Sequence, residues 1–148
     1  MSKHKNKKDP YGIPNVNFTL DIEDRGLRHK FKKQRLERGF DNTELWNLDY
    51  TLAEFLLPRL KAFREQTFGC PGCFVDDYEP YEDGMDKWYA ILDEMIWALE
   101  TYIKCEDSDF KYNGKSYYDM TREEMIALDE KINNGLNLIS KYWRCLWW

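Results

Sequence analysis

The sequence predicts a mainly α-helical protein with a three-helix core and a small β element. In three separate segments, apolar residues recur every three or four positions, which is the spacing of one face of a helix. A short polar and aromatic run carries Asn113-Gly114 at its centre, the pair most typical of a two-residue hairpin turn. The predicted β element combines this hairpin with a strand near the N-terminus.

Length and composition predict one domain. A chain of 148 residues is long enough for one ordinary core and short for two. Aromatic residues make up 16%, which excludes a disordered or low-complexity protein for most of the length. We expect a disordered basic tail over residues 1–10 and a single domain over residues 11–148, made of a basic arm (25–40) and a helical body (41–148).

The N-terminal region predicts a strand and then a helical arm. Apolar and polar residues alternate over residues 15–23, which is typical of a half-buried strand. The following segment, 25–38, is strongly basic and has apolar residues between its charges, so we expect a helix there. The apolar residues of the strand and the arm are Val16, Phe18, Leu20 and Ile22, then Leu27, Phe31 and Leu36.

The first core helix is expected to begin near Asp41, Asn42 and Thr43, all of which are good N-cap residues. Pro58 removes a backbone donor inside this helix, so we expect a kink or a division at that point. The apolar stripe that should face the core consists of Leu45, Leu48, Leu52, Leu56, Leu60 and Phe63.

Two further helices carry similar stripes. The second is expected over 85–104, and the third should begin at a capping box formed by Thr121 and Glu124. Asn133-Asn134-Gly135 interrupts the third helix chemically, but its stripe stays in phase, so one continuous helix is favoured. The two stripes are Trp88, Leu92, Met95, Leu99 and Tyr102, then Met125, Leu128, Ile132, Leu136, Ile139, Trp143 and Leu146.

The charges divide along the chain. Residues 1–40 hold 11 Lys and Arg against 5 Asp and Glu, whereas residues 41–148 hold 11 against 22. No apolar run is long enough to span a membrane, and none follows the lysine-rich N-terminus to form a signal peptide. We therefore expect a soluble, cytoplasmic protein that is not secreted and has no membrane partner. Direct nucleic-acid binding by the basic arm is not favoured, because the acidic body would repel a duplex.

Cys70-Pro71-Gly72-Cys73 is the sharpest small motif. Two cysteines around a Pro-Gly turn are able to hold one zinc ion, but a structural zinc site needs four ligands. The remaining cysteines, Cys105 and Cys145, are isolated from each other. Free thiols in a turn are therefore the favoured interpretation, with zinc at Cys70 and Cys73 and a redox dithiol as alternatives, and no other cofactor is expected.

Six carboxylates fall within a stretch of eleven residues that covers the end of the predicted loop and the start of the second helix. Their spacing lacks the order of an EF-hand calcium loop. They indicate a solvated acidic loop, a surface that binds a partner, or a cation site. These residues are Asp76, Asp77, Glu79, Glu82, Asp83 and Asp86.

An enzymatic interpretation depends on carboxylates of the second and third helices. Facing acids from two helices hold magnesium in all-α nucleotide pyrophosphohydrolases, which is the enzyme alternative for this chain. The stripes predicted to face inward are apolar, however, so solvated acids are favoured and no catalytic residue is assigned. The acids concerned are Asp93, Glu94, Glu100, Glu123, Glu124, Asp129 and Glu130.

The run Arg-x-x-Arg-Gly-Phe-Asp at 35–41, followed by Glu-Leu-Trp-Asn-Leu-Asp at 44–49, resembles a pattern in a group of small, uncharacterised tailed-phage proteins. The similarity continues through the turn at 69–72 to the segment 88–95 and covers about residues 30–100. The two cysteines of that turn are not part of the pattern. The resemblance implies a phage origin, and hence the cytoplasm of a host cell, without implying a reaction.

The function that these observations favour is that of a phage accessory protein that binds another protein, such as a host or defence factor that it inhibits. A structural virion component is a further alternative. Asp49 is expected either to pair with an arginine of the arm or to line a site for a partner. The candidate partner-binding residues are Trp46, Asn47, Asp49, Arg35 and Arg38, together with Asp76, Asp77, Glu79 and Glu82 of the acidic loop.

Overall fold

The computed structural model describes residues 23–74, 81–105 and 107–147, and this part of the chain is mainly α-helical with a small β element, as the sequence predicts. The four α-helices are α1 (Arg25–Arg38), α2 (Leu48–Gln66), α3 (Tyr81–Lys104) and α4 (Arg122–Lys141). Short 3-10 helices cover Asn42–Leu45, Gly72–Phe74, Tyr117–Asp119 and Trp143–Cys145, and the strands are β1 (Lys111–Tyr112) and β2 (Lys115–Ser116).

The chain divides into two compact units, and the division falls inside α2, between Phe55 and Leu56. The first unit contains α1, a 3-10 helix and the start of α2. The second contains the rest of α2, the α3–α4 pair and the hairpin. The strand expected over residues 15–23 falls almost entirely outside the described residues, as does the tail over 1–10. A single domain over residues 11–148 stays a prediction.

Helices α3 and α4 form the core of the second unit, and most of both predicted stripes lies in it. Trp143, which was expected to extend the stripe of α4, is 62% exposed instead. The fully buried side chains include Trp88, Leu92 and Met95 of α3 and Leu128 of α4. The centroid of the Trp88 ring lies 5.7 Å from that of Tyr142, the residue that caps the C-terminal end of α4. Because the backbone leaves the helical conformation at Tyr142, α4 stops at Lys141 and does not carry the stripe on to Leu146.

Gly135 explains why α4 continues through the Asn-Asn-Gly sequence. The residue is buried in the helix and faces α3, where a Cβ at this position would overlap Ala98 and lie 2.9 Å from the carbonyl oxygen of Glu94. The two backbones therefore approach at a point where only glycine fits. The packing gained there offsets the cost of glycine in a helix, about 1 kcal/mol.

The Asn113-Gly114 hairpin forms as predicted. Lys111 pairs with Ser116 and Tyr112 with Lys115 in an antiparallel register. Both turn residues have positive φ, 52° for Asn113 and 81° for Gly114, which is the conformation that favours this pair. Tyr112 packs against a buried cluster that includes Leu128 of α4, so the hairpin is fixed to the helical pair.

Helix α2 differs from expectation at its start. Asp41 caps a single 3-10 turn over Asn42–Leu45, the chain turns at Trp46 and Asn47, and the α-helix begins only at Leu48. Pro58 lies in the interior of α2, and the helix continues across it without dividing.

Candidate functional site

The junction between α1 and α2 contains most of the residues that distinguish this sequence. Gly39 ends α1 in the left-handed conformation, with φ at 84°, and its amide donates to the carbonyl of Arg35 at 2.9 Å. Glycine is the residue that adopts this conformation without strain. The Arg-Gly-Phe-Asp sequence at 38–41 therefore has a structural role, because it ends one helix and begins the next element.

Asp41 is the anchor of this junction. Its side chain is fully buried and accepts hydrogen bonds from the guanidinium of Arg35, from the amide of Thr43 at 2.8 Å and from the hydroxyl of Thr43 at 2.6 Å. The amide of Asp41 in turn donates to the carboxylate of Glu44 at 3.2 Å, which completes a capping box. A buried carboxylate is stable only when it is paired in this way.

Arg38 also has partners inside the first unit. Its guanidinium donates to the side chain of Asn42 and to the carbonyl of Phe40 at 3.1 Å, and it lies over the Phe40 ring, 4.4 Å from the centroid. Arg35 pairs with Asp41, and Arg38 pairs with Asn42. The expectation that Asp49 pairs with an arginine of the arm or lines a site stays a prediction. These contacts indicate a structural role for both arginines, and their assignment to a partner-binding site stays a prediction.

Trp46 lies at the outside of the junction. One edge of its ring packs against the buried ring of Phe31, with the centroids 6.3 Å apart and the planes at 85°, yet 60% of the residue is exposed. Asn47 and Asp49 are exposed as well. We expected Trp46 and Asn47 within the first two turns of a helix, and the structure places them in the turn before α2.

An apolar surface surrounds Trp46. We define the Trp46 surface as Leu45, Trp46, Leu48 and Leu52, whose exposed fractions lie between 46% and 60%. The three leucines belong to the stripe that was expected to face the core, so that expectation is wrong for this half of the stripe. The reason is that α2 turns Ala53 inward at this point, with only 4% of it exposed.

Periodicity alone does not distinguish this exposed face from a buried one. Leu48, Leu52 and Phe55 are spaced by four and three residues, so they share one side of α2, whereas Ala53 lies on a different side. When a helix has apolar residues on two faces, periodicity does not show which of the two faces is buried. A small buried alanine is a weak signal beside three large side chains.

The cysteines of the 70–73 turn lie beside the start of α3. Cys70 is half-buried, with its sulfur 3.2 Å from where a Cβ on Gly84 would be, and Cys73 is exposed. Within residues 23–74, 81–105 and 107–147, the structure brings no three Cys, His, Asp or Glu side chains together in a metal-binding group. Zinc at Cys70 and Cys73 stays a hypothesis without a third ligand in the described part of the chain.

The acidic loop falls largely outside the described residues. Asp76, Asp77 and Glu79 lie in the undescribed stretch 75–80, and Glu82 lies in the first turn of α3 with its side chain also outside the description. Their role as a partner surface stays a prediction.

Several helix carboxylates considered for magnesium form ion pairs with basic side chains. Asp93 accepts two hydrogen bonds from Arg64, at 2.9 and 3.2 Å, and Glu100 pairs with Lys61. The hydrogen bond from Lys61 lowers the pKa of Glu100 below its ordinary value of 4.5, against the opposing effect of burial. Both acids are paired with cations of their own unit, an arrangement that favours a structural role over metal-assisted catalysis.

No helix among the described residues has both the length and the apolar character that crossing a membrane requires. Comparisons of this chain with protein-family models, with curated proteins and with solved structures found no match.

Proposed function

We propose that this chain is a small phage-encoded accessory protein that acts by binding another protein, such as a host or defence factor that it inhibits. The phage origin rests on the resemblance of residues 35–49 to small tailed-phage proteins. The binding role rests on the Trp46 surface. The acidic residues Asp76, Asp77, Glu79 and Glu82 are a second proposed contact region.

The exposure of the Trp46 surface is the observation that carries this proposal. Four large apolar side chains that follow each other closely in sequence are all about half exposed. Single exposed leucines are common on proteins, but a group of neighbouring ones beside a tryptophan is typical of a protein-binding surface. Tryptophan is also among the residues that contribute most to binding energy at interfaces.

Hydrogen bonds hold the conformation of the junction beneath this surface. The hydroxyl of Thr51 on α2 donates to the carbonyl of Glu44 at 3.0 Å, and the amide of Asn42 donates to the side chain of Gln34 on α1 at 3.0 Å. Together with the buried Asp41, these bonds connect both sides of the junction. A surface held in this way loses little conformational entropy when a partner binds.

Affinity capture from a lysate of a bacterial host tests the proposal. Immobilised wild-type protein is compared with Trp46→Ser and with the double variant Leu48→Ser/Leu52→Ser, with Trp143→Ser as the matched control. Trp143 is 62% exposed, almost the same as Trp46, but lies in the second unit. The proposal predicts a protein that the wild type and the Trp143 variant enrich and that both surface variants lose.

Recovery of the same proteins by all four forms would contradict a role for the Trp46 surface. A separate arm tests the acidic loop, with Asp76, Asp77, Glu79 and Glu82 changed together to Ser. Weaker capture of the same protein supports a second contact there, and unchanged capture removes the acidic loop from the proposal.

A further inference from the structure

We infer that the Trp46 surface receives an amphipathic helix whose polar positions are acidic. This inference rests on the proposed function, because it names the chemistry of the segment that the partner presents. Leu48, Leu52 and the half-exposed Phe55 form a ridge along one side of α2, with successive side chains one helical turn apart.

A ridge with this spacing is complementary to another helix. Helices pack when side chains spaced by three or four residues on one fit into the grooves between such ridges on the other. Helical segments that bind in this way carry apolar anchors at the same spacing. An extended strand, whose side chains alternate between two faces, presents a different period.

The charge on α1, beside the apolar face, is strongly basic. The sequence of α1 holds seven Lys or Arg and one Glu. The contact between the Phe31 and Trp46 rings places Trp46 alongside the middle of this helix. Lys30 and Lys32, which flank Phe31 in sequence, are both exposed.

Arg28 is another exposed cation of α1. It lies three residues before Phe31, and residues three apart on a helix are surface neighbours. Basic groups therefore border the apolar surface on the α1 side. A partner helix that carries Asp or Glu beside its apolar stripe satisfies both features, because its acids are attracted to α1 while its apolar side chains meet Leu48 and Leu52.

Nucleic acid fits this surface less well than such a helix does. Phosphates would meet the cations of α1 but leave the exposed leucines without apolar contact. An anionic membrane shares the same combination of apolar and acidic chemistry, since tryptophan and leucine beside Lys and Arg are also typical of helices that lie at membrane interfaces. The experiment therefore includes a membrane arm.

Fluorescence anisotropy with designed peptides of about 20 residues, long enough to form several helical turns, measures this preference on the full chain. The first peptide carries Leu at i, i+3, i+4 and i+7 with Glu at the polar positions. The second keeps the Leu positions and replaces Glu by Lys. The third has the composition of the first with its Leu positions scrambled. Vesicles of phosphatidylcholine with phosphatidylglycerol test membrane binding by sedimentation.

We expect the acidic amphipathic peptide to bind at least about tenfold more tightly than either control peptide, a difference readily resolved in dissociation constants. Leu48→Ser/Leu52→Ser should abolish this preference over the scrambled peptide. Lys30→Gln/Lys32→Gln should weaken binding of the acidic peptide and reduce its dependence on salt. Circular dichroism of each variant confirms that it retains its helices.

Equal affinity for all three peptides, or tighter binding of the Lys peptide, overturns the inference. If the protein sediments with the vesicles and shows no preference for the acidic peptide, the inference is overturned and a membrane becomes the favoured partner. If lysate capture still depends on the Trp46 surface while the peptide preference is absent, the inference fails and the proposed function stands. If neither depends on that surface, both fail.

Discussion

The guanidinium of Arg35 on α1 donates a hydrogen bond to the carboxylate of Asp41, which is fully buried at the start of the next element. This pair joins the two sides of the junction that positions Trp46. The same carboxylate caps the 3-10 turn through Thr43, so one side chain is bonded to the basic helix and also begins the segment that leads to α2.

Replacement of Asp41 should loosen the first unit. Asp41→Ala removes an N-cap, worth about 0.5–2 kcal/mol, and leaves the guanidinium of Arg35 without this acceptor, so we expect a loss of about 2–4 kcal/mol. Hydrogen exchange of amides in α1 and in the 3-10 turn measures it. Glu37→Gln is the control, because its pair with Lys33 is exposed and worth less than about 0.5 kcal/mol. Equal protection in the two variants would show that Asp41 is not the anchor.

Gly135→Ala should destabilise the second unit although alanine is the better helix former. The added Cβ would overlap Ala98 and lie 2.9 Å from the carbonyl oxygen of Glu94, so α3 and α4 must separate. We expect a cost of about 1–3 kcal/mol, as is usual for overpacking, measured by urea denaturation.

Two variants make the Gly135 result specific. Asn134→Ala, at the neighbouring exposed position, should leave stability unchanged or raise it by a few tenths of a kcal/mol, since alanine is the better helix former. Ala98→Gly combined with Gly135→Ala should recover part of the loss, because it removes one of the two atoms that overlap. A stabilising Gly135→Ala would contradict the close approach of the two helices.

The pKa of Glu100 depends more on Lys61 than on Lys104. The hydrogen bond from Lys61 is the largest cause of the lowered pKa, whereas Lys104, 3.9 Å away, contributes only a weaker charge interaction. NMR titration should therefore show a larger rise in the pKa of Glu100 in Lys61→Met than in Lys104→Met. The reverse order would contradict the observed pairing.

The same pair has a defined effect on stability with pH. Because the pKa of Glu100 is lower in the folded state than its ordinary value of 4.5, the pair stabilises the fold fully above that pH. This contribution is lost as the pH falls below 4.5 and through the folded-state pKa. With the Lys61 side chain 46% exposed, we expect less than about 1 kcal/mol from it, measured by urea denaturation of wild type and Lys61→Met across this pH range.

Cys70 and Cys73 are predicted to behave as free thiols. Cys73 is exposed and the other three cysteines are half-buried, so a thiol reagent should modify Cys73 first in the native protein. Timed alkylation followed by mass spectrometry of peptides measures the order. Protection of both Cys70 and Cys73 that a chelator removes would contradict free thiols and support zinc.

The helices that carry local signals were predictable from the sequence. Thr121 and Glu124 form the expected capping box, and the stripe through Trp88, Leu92 and Met95 is buried as expected. Both features depend on residues close together in sequence, so no knowledge of the rest of the fold was needed. The Asn113-Gly114 turn was predictable for the same reason.

The junction was less predictable because its contacts depend on how the chain turns. Periodicity placed Leu48 and Leu52 in the core, but the turn at Trp46 and Asn47 rotates α2 so that Ala53 is buried instead. The pairing of Arg35 with Asp41 likewise requires the left-handed Gly39 between them. The exposed surface could be found only once the conformation of this turn was known.

Site-specific photo-crosslinking in cells of the proposed bacterial host tests the central claim most directly. A photoreactive phenylalanine derivative replaces Leu48 or Leu52 in separate forms of the protein, and Trp143 in a control form of similar exposure. If the Trp46 surface binds a protein, irradiation should attach the same partner at positions 48 and 52 and leave position 143 without that adduct. An adduct at 143 with none at 48 or 52 would contradict the claim.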